Sequence, residues 1–157
     1  MIKALKIIVI SIIIVYTVGT CITIMYYNQD EETLKSIKNT SLTPVDEIKC
    51  AVISLNRDAP IKVNKQTTAT KVEYLEKENK FILYYQLTGV KKGDLTEKEV
   101  DNIVQALKAV KLNHTISNPD NKTFVEHRVT FVYIYKDIND EVIYSFQIEP
   151  KEYLKSK

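Results

Sequence analysis

From Ile7 to Tyr27 the chain runs through 21 residues without one charged side chain. In a helix rising about 1.5 Å per residue such a run reaches roughly 31 Å, the thickness of a bilayer's hydrocarbon core. The segment therefore predicts a transmembrane helix, with Tyr26 and Tyr27 placed to anchor at the interface. Lys3 and Lys6 precede it and Asp30, Glu31 and Glu32 follow it, so the positive-inside rule keeps residues 1–6 in the cytoplasm and sends the remainder outside. Three alternatives share the segment: a signal sequence that leaves Cys21 as a lipidated first residue, simple cleavage, and a buried helix of a soluble protein. A cleaved signal has an apolar region of about 7–15 residues followed by small residues. Here Thr20 stands before Cys21 and the apolar run ITIMYY stands after it, which favours the retained anchor.

The anchor sets the domain organisation: cytoplasmic residues 1–6, the span 7–27, a polar tether 28–41 and one folded domain over 42–157. About 130 residues beyond the span suffice for one hydrophobic core. Lys3 and Lys6 carry the whole formal charge of +2, the other 20 basic residues being matched by 20 acidic ones. This balance argues against a nucleic-acid partner, whose binders collect positive charge on one face. Cys21 and Cys50 fall in different segments and predict no bridge between them, leaving Cys50 a lone thiol or a candidate for an intermolecular disulfide.

Beyond the tether, TPVDEIKCAVISLNR reads as a helix in which Thr43 caps, Pro44 fills the first turn and Val45, Ile48, Val52 and Leu55 share a face, with Cys50 directed away from it. IKVNKQTTAT reads as an extended connection. KVEYLEK and KFILYYQLT read as a hairpin around Glu78 and Asn79. Thr96 and Glu99 open a second helix through Val100, Ile103, Val104, Leu107 and Val110. KLNHTISNPDNK reads as a loop, and TFVEHRVTFVYIYK and EVIYSFQIE as a second hairpin turning at DIND. The expected fold is α+β, in the order helix, strand, strand, helix, strand, strand, with a mainly antiparallel sheet of four strands covered by helices on one face. In the last strand Val142, Tyr144, Phe146 and Ile148 should face the helices.

Chemistry is sparse. His114 and His127 lack a partner at metal-ligand spacing, and Glu126, His127 and Arg128, read within a strand, alternate between faces rather than converging. No phosphate-binding glycine loop or nucleophile elbow occurs. The expectation is no enzyme, no cofactor and no metal. Tyrosine is the suggestive residue type, since alternation sends Tyr84 and Tyr85 to opposite faces and an open tyrosine-bearing sheet face suits a protein partner. Tyr84, Tyr133 and Tyr135 are the candidate partner-binding residues, although strand composition alone also accounts for them.

The runs LNRDAPIKVNKQTTATKVEYLEKENKFILYYQLTGV, LTEKEVDNIVQALKAV and VTFVYIYKDINDEVIYSFQIEP together resemble a loose group of small exported bacterial proteins of uncharacterised function, over about residues 55–150. The resemblance implies an extracytoplasmic domain and assigns no functional residue. These readings converge on a membrane-anchored binding or accessory module of an envelope assembly, acting in the periplasm or at the cell surface. The alternative is an inhibitor or immunity-type protein that meets a toxin, phage or enzyme at the membrane. The full-length chain is expected to sediment with membranes and to be released by detergent, and a chain starting at Asn28 to stay soluble. Full-length protein in the soluble fraction would contradict the anchor.

Overall fold

A computed structural model describes residues 42–155. The apolar segment 7–27, its alternatives and the tether 28–41 lie outside the described residues. Within them, no helix is long and apolar enough to cross a membrane.

Helix α1 spans Pro44–Asp58. Its start follows from Thr43, whose hydroxyl accepts from the Asp46 amide at 3.2 Å while the Asp46 carboxylate accepts from the Thr43 amide at 3.2 Å. Two of the amides that a helix N-terminus leaves unpaired are thereby satisfied. Ile48 and Leu55 enter the core. Asn56 fixes α1 against the sheet: its carboxamide donates to the Val72 carbonyl and accepts from the Val72 amide, both at 2.8 Å.

Strand β1 (Ile61–Lys62) pairs antiparallel with β2 (Thr67–Leu75), so the segment read as a plain connection contributes a fifth, edge strand too short to show periodicity. The β2–β3 hairpin (β3, Lys80–Leu87) turns through a short 3-10 segment, Glu76–Glu78, and Asn79 at φ 50°. Asparagine tolerates this left-handed backbone. Its side chain accepts from the Tyr74 hydroxyl at 2.9 Å and donates to the His127 carbonyl at 2.8 Å, tying the turn to the start of β4.

Helix α2 runs Glu97–Ser117 from a Thr96–Glu99 capping box. It extends through the stretch read as a loop, because its buried stripe, Ile103, Leu107, Lys111 and Thr115, keeps helical spacing while changing from apolar to polar residues. A 3-10 turn, Pro119–Asn121, leads into α3, Lys122–Glu126. The strand expected over TFVEHR is therefore helix and turn: Glu126 ends α3, His127 caps it and Arg128 turns the chain at φ 56°. Strand β4 is confined to Thr130–Lys136 and pairs antiparallel with β5 (Val142–Ile148), which is followed by α4, Pro150–Leu154. The Tyr153 hydroxyl donates to the Val129 carbonyl at 3.0 Å and pins α4 beside the entry to β4.

The sheet order is β1-β2-β3-β4-β5. Three of its four pairings are antiparallel, as expected, and β3–β4 is parallel. The exception follows from α2, which carries the chain back along the sheet between the two strands, so that both run the same way. On the covered face Phe81 lies beside Phe131, Leu83 beside Tyr133, and Tyr85 beside Tyr135. Tyr144, Phe146 and Ile148 join them as expected, whereas a bulge at Tyr135–Lys136 carries Val142 outward, where it is 43% exposed. Ile103→Ala is expected to lower stability by about 2–5 kcal/mol, through lost burial and a residual cavity. Thr96→Ala should cost about 1 kcal/mol, through the lost cap. Urea unfolding with unchanged m-values checks both.

Candidate binding recess between the two long helices

Helix α1 packs over β2 and α2 over β5, which leaves part of the β3–β4 floor between them open. A recess of about 100 Å³ lies there. Its floor is aromatic and aliphatic, with Phe81, Leu83 and Tyr85 from β3 and Phe131 and Tyr133 from β4, and Phe124 of α3 closes one side. A second, more apolar recess of about 60 Å³ adjoins it at Leu55, Leu83 and Tyr85 and runs toward β1.

Lys111 is the decisive side chain. It enters from α2, is only 5% exposed, and its Nζ lies 5.5 Å from the ring centroid of Tyr85 and 5.3 Å from that of Tyr133. Ring faces attract cations, more strongly when water is excluded. The ion pairs among the described residues do not include Lys111. Burial accordingly lowers its pKa to about 8. His114, one turn on, is also held below its ordinary value, first by burial and then by the charge of Lys111, against an opposing pull from Asp120. Glu47 and Asp120 stand at the exposed rim, where Glu47 accepts from the Thr123 hydroxyl at 2.6 Å. Thr115 lies buried beneath, its hydroxyl donating to the Lys111 carbonyl at 2.9 Å.

The candidate tyrosines divide. Tyr133 and Tyr135 are 5% and 1% exposed and lie on the helix-covered face, so they do not form the open tyrosine surface expected from sequence. Tyr133 lines the recess instead. Tyr135 is stacked between Tyr85 at 4.9 Å and Tyr144 at 4.7 Å. Burial raises the phenol pKa values of Tyr85, Tyr133, Tyr135 and Tyr144, which keeps these groups neutral. Tyr84 does lie on the other face, half-buried, with Nζ of Lys71 and Lys136 over its ring at 5.8 and 5.6 Å. Its hydroxyl donates to Glu73 at 2.7 Å, and that carboxylate pushes its pKa up to about 12. Cys50 is exposed on α1, away from the recess lining, and free of disulfides among the described residues. His127 sits in the turn after α3 and, unlike His114, does not line the recess. No group of His, Cys, Asp and Glu able to hold a metal occurs among the described residues. Lys111 itself escaped sequence reading because a lysine at the apparent end of a helix ordinarily signals solvent.

No family model matches the chain, and no curated protein matches it. Among solved structures, a candidate secreted protein from Pseudomonas aeruginosa aligns with TM-score 0.55 at 8% identity, covering 68% of this chain and 88% of that one. The two share a fold. A pilotin of the type 2 secretion system of Vibrio vulnificus aligns with TM-score 0.49 at 9% identity, over 66% of this chain and 86% of its own.

The buried lysine makes a signed prediction. Folded Lys111 releases its proton near pH 8 and the unfolded chain near the ordinary 10.5, so between these values the unfolded state holds more protons and the Lys111 contribution to stability rises with pH. The buried tyrosines act oppositely from about pH 10 upward, where the unfolded chain ionises first. In urea unfolding, wild type should gain on Lys111→Met as pH rises above 8. Parallel curves for the two proteins would show an ordinary, hydrated amine.

Proposed function

We propose that this chain is a non-catalytic binding or accessory module, anchored by residues 7–27 and acting outside the cytoplasm within an envelope assembly, and that the recess between α1 and α2 holds part of a protein partner. The observation that carries this reading is the recess itself: an aromatic floor, a desolvated cation and an opening of about 100 Å³. Sites for small organic ligands and cofactors occupy about 300–1,000 Å³. A recess this small suits one side chain of a larger partner, whose remaining contacts spread over the adjoining surface. Apolar anchors set in pockets with a few polar contacts dominate the energetics of protein interfaces. The neutral phenols of Tyr85 and Tyr133 offer ring faces rather than bases near neutral pH, in keeping with binding rather than proton transfer. The apolar span and the fold shared with a candidate secreted protein support the extracytoplasmic placement.

The test is site-specific photo-crosslinking in intact cells. A photoreactive residue at position 47, on the recess rim, should capture one defined envelope protein, and the same residue at position 145, on the far sheet face, should not. Capture should fail for a chain starting at Asn28. Capture from position 145 and none from position 47 would move the partner site to the open sheet face.

A further inference from the structure

Lys111 is a cation with most of its hydration removed. Taking an ammonium out of water is costly even after relaxation, and a cation–π contact returns only a fraction of that cost. Two tyrosine faces therefore offset only part of the cost. What an apolar site of this kind lacks is an anion, and the amine lines the recess into which one would come.

Resting on the reading of the recess as a partner site, we infer that its occupant is a protein segment presenting a single carboxylate among apolar side chains, the carboxylate side chain seated against Lys111 with its methylene groups over Phe81, Phe124 and Phe131, and an apolar neighbour in the adjoining recess at Leu55, Leu83 and Tyr85. Three features of the lining select for this chemistry. The volume admits about one side chain, which disfavours a phosphorylated or nucleotide group carrying a larger polar body. Phe81, Leu83, Phe124 and Phe131 make much of the lining apolar beside the polar groups of His114, Thr115 and Asn121, so the carboxylate needs apolar neighbours to exclude water, and exclusion is what makes the ion pair strong. Glu47 and Asp120 stand at the exposed rim, where they oppose a second carboxylate and tolerate a basic neighbour. The adjoining apolar recess at Leu55, Leu83 and Tyr85 continues the track, which suits a segment of chain better than a free acid.

The test is calorimetric titration of the full-length protein in nanodiscs with acetyl-Leu-Phe-Glu-Leu-amide and its Glu→Gln counterpart. Wild type should prefer the glutamate peptide by about tenfold or more, the range of a desolvated charge pair rather than an exposed one. Lys111→Met, which replaces the amine by an apolar chain of similar length, should bind both peptides and lose the preference. The wild-type comparison between the two peptides stands even if the variant fails to fold. Equal binding of both peptides to wild type, or an unchanged preference in Lys111→Met, would overturn the inference while leaving the recess a binding site. Binding of neither peptide would overturn the inference too, and capture from position 47 in cells would then show whether the partner-site reading survives it. Hexanoate binding as tightly as the glutamate peptide would replace the protein segment by a free carboxylic acid and overturn the partner class.

Discussion

The parallel pairing of β3 with β4 is the constraint from which the rest of this domain follows. Antiparallel neighbours can be joined by a tight turn, whereas parallel neighbours need a crossover long enough to return along the sheet. Here the return is α2, the longest helix of the domain, followed by the short turn and helix at Pro119–Glu126. The register that results places Phe81 beside Phe131, Leu83 beside Tyr133 and Tyr85 beside Tyr135. An aromatic floor is thus assembled from two strands whose connecting helix returns to one side of it, over β5. Antiparallel β5 extends it with Tyr144 and Phe146, stacked on Tyr135 and Tyr133.

The same crossover accounts for the recess. Asn56 holds α1 at the edge of β2, and α2 lies over β5. Two helices so placed do not close over the middle of the sheet, and the gap is occupied in part by Lys111 and Thr115 where the stripe of α2 turns polar. A leucine at position 111 would be the ordinary choice for a buried stripe, and replacing buried charges by apolar residues often stabilises a protein. That the stripe carries an amine at the one point where it faces both an opening and two tyrosine rings is the physical basis for reading the recess as a binding site.

Much of this architecture was legible in the sequence because it rests on local rules. The Thr43–Asp46 and Thr96–Glu99 boxes mark both long helices, the hairpin turning at Asn79 and the β4–β5 hairpin follow from alternation, and the adjacent pair Tyr84–Tyr85 divides between faces as two-residue periodicity requires. What could not be read is decided by tertiary contact. The final turns of α2 resemble a loop because their buried positions are lysine and threonine. TFVEH resembles a strand because its residues are good strand formers, yet Phe124 is needed beside Phe81 and Phe131, at ring separations of 5.0 and 5.7 Å. Tyr133 and Tyr135 carry polar tips that suggest exposure, while their alternation with Val132 and Ile134 was equally consistent with burial. The candidate site was the least legible part, since neither Lys111 nor the floor beneath it carries a sequence motif.

The state of the Lys111 amine is the quantity on which the site depends most directly. It can be read by carbon-13 NMR of the lysine ε-methylene groups across a pH titration, with the Lys111 signal assigned by its loss in Lys111→Met. A midpoint near pH 8 is expected for an ammonium enclosed over two tyrosine rings. A midpoint at the ordinary 10.5 would mean that the amine is hydrated, and the recess would then be a surface dimple rather than a site prepared for an anionic group.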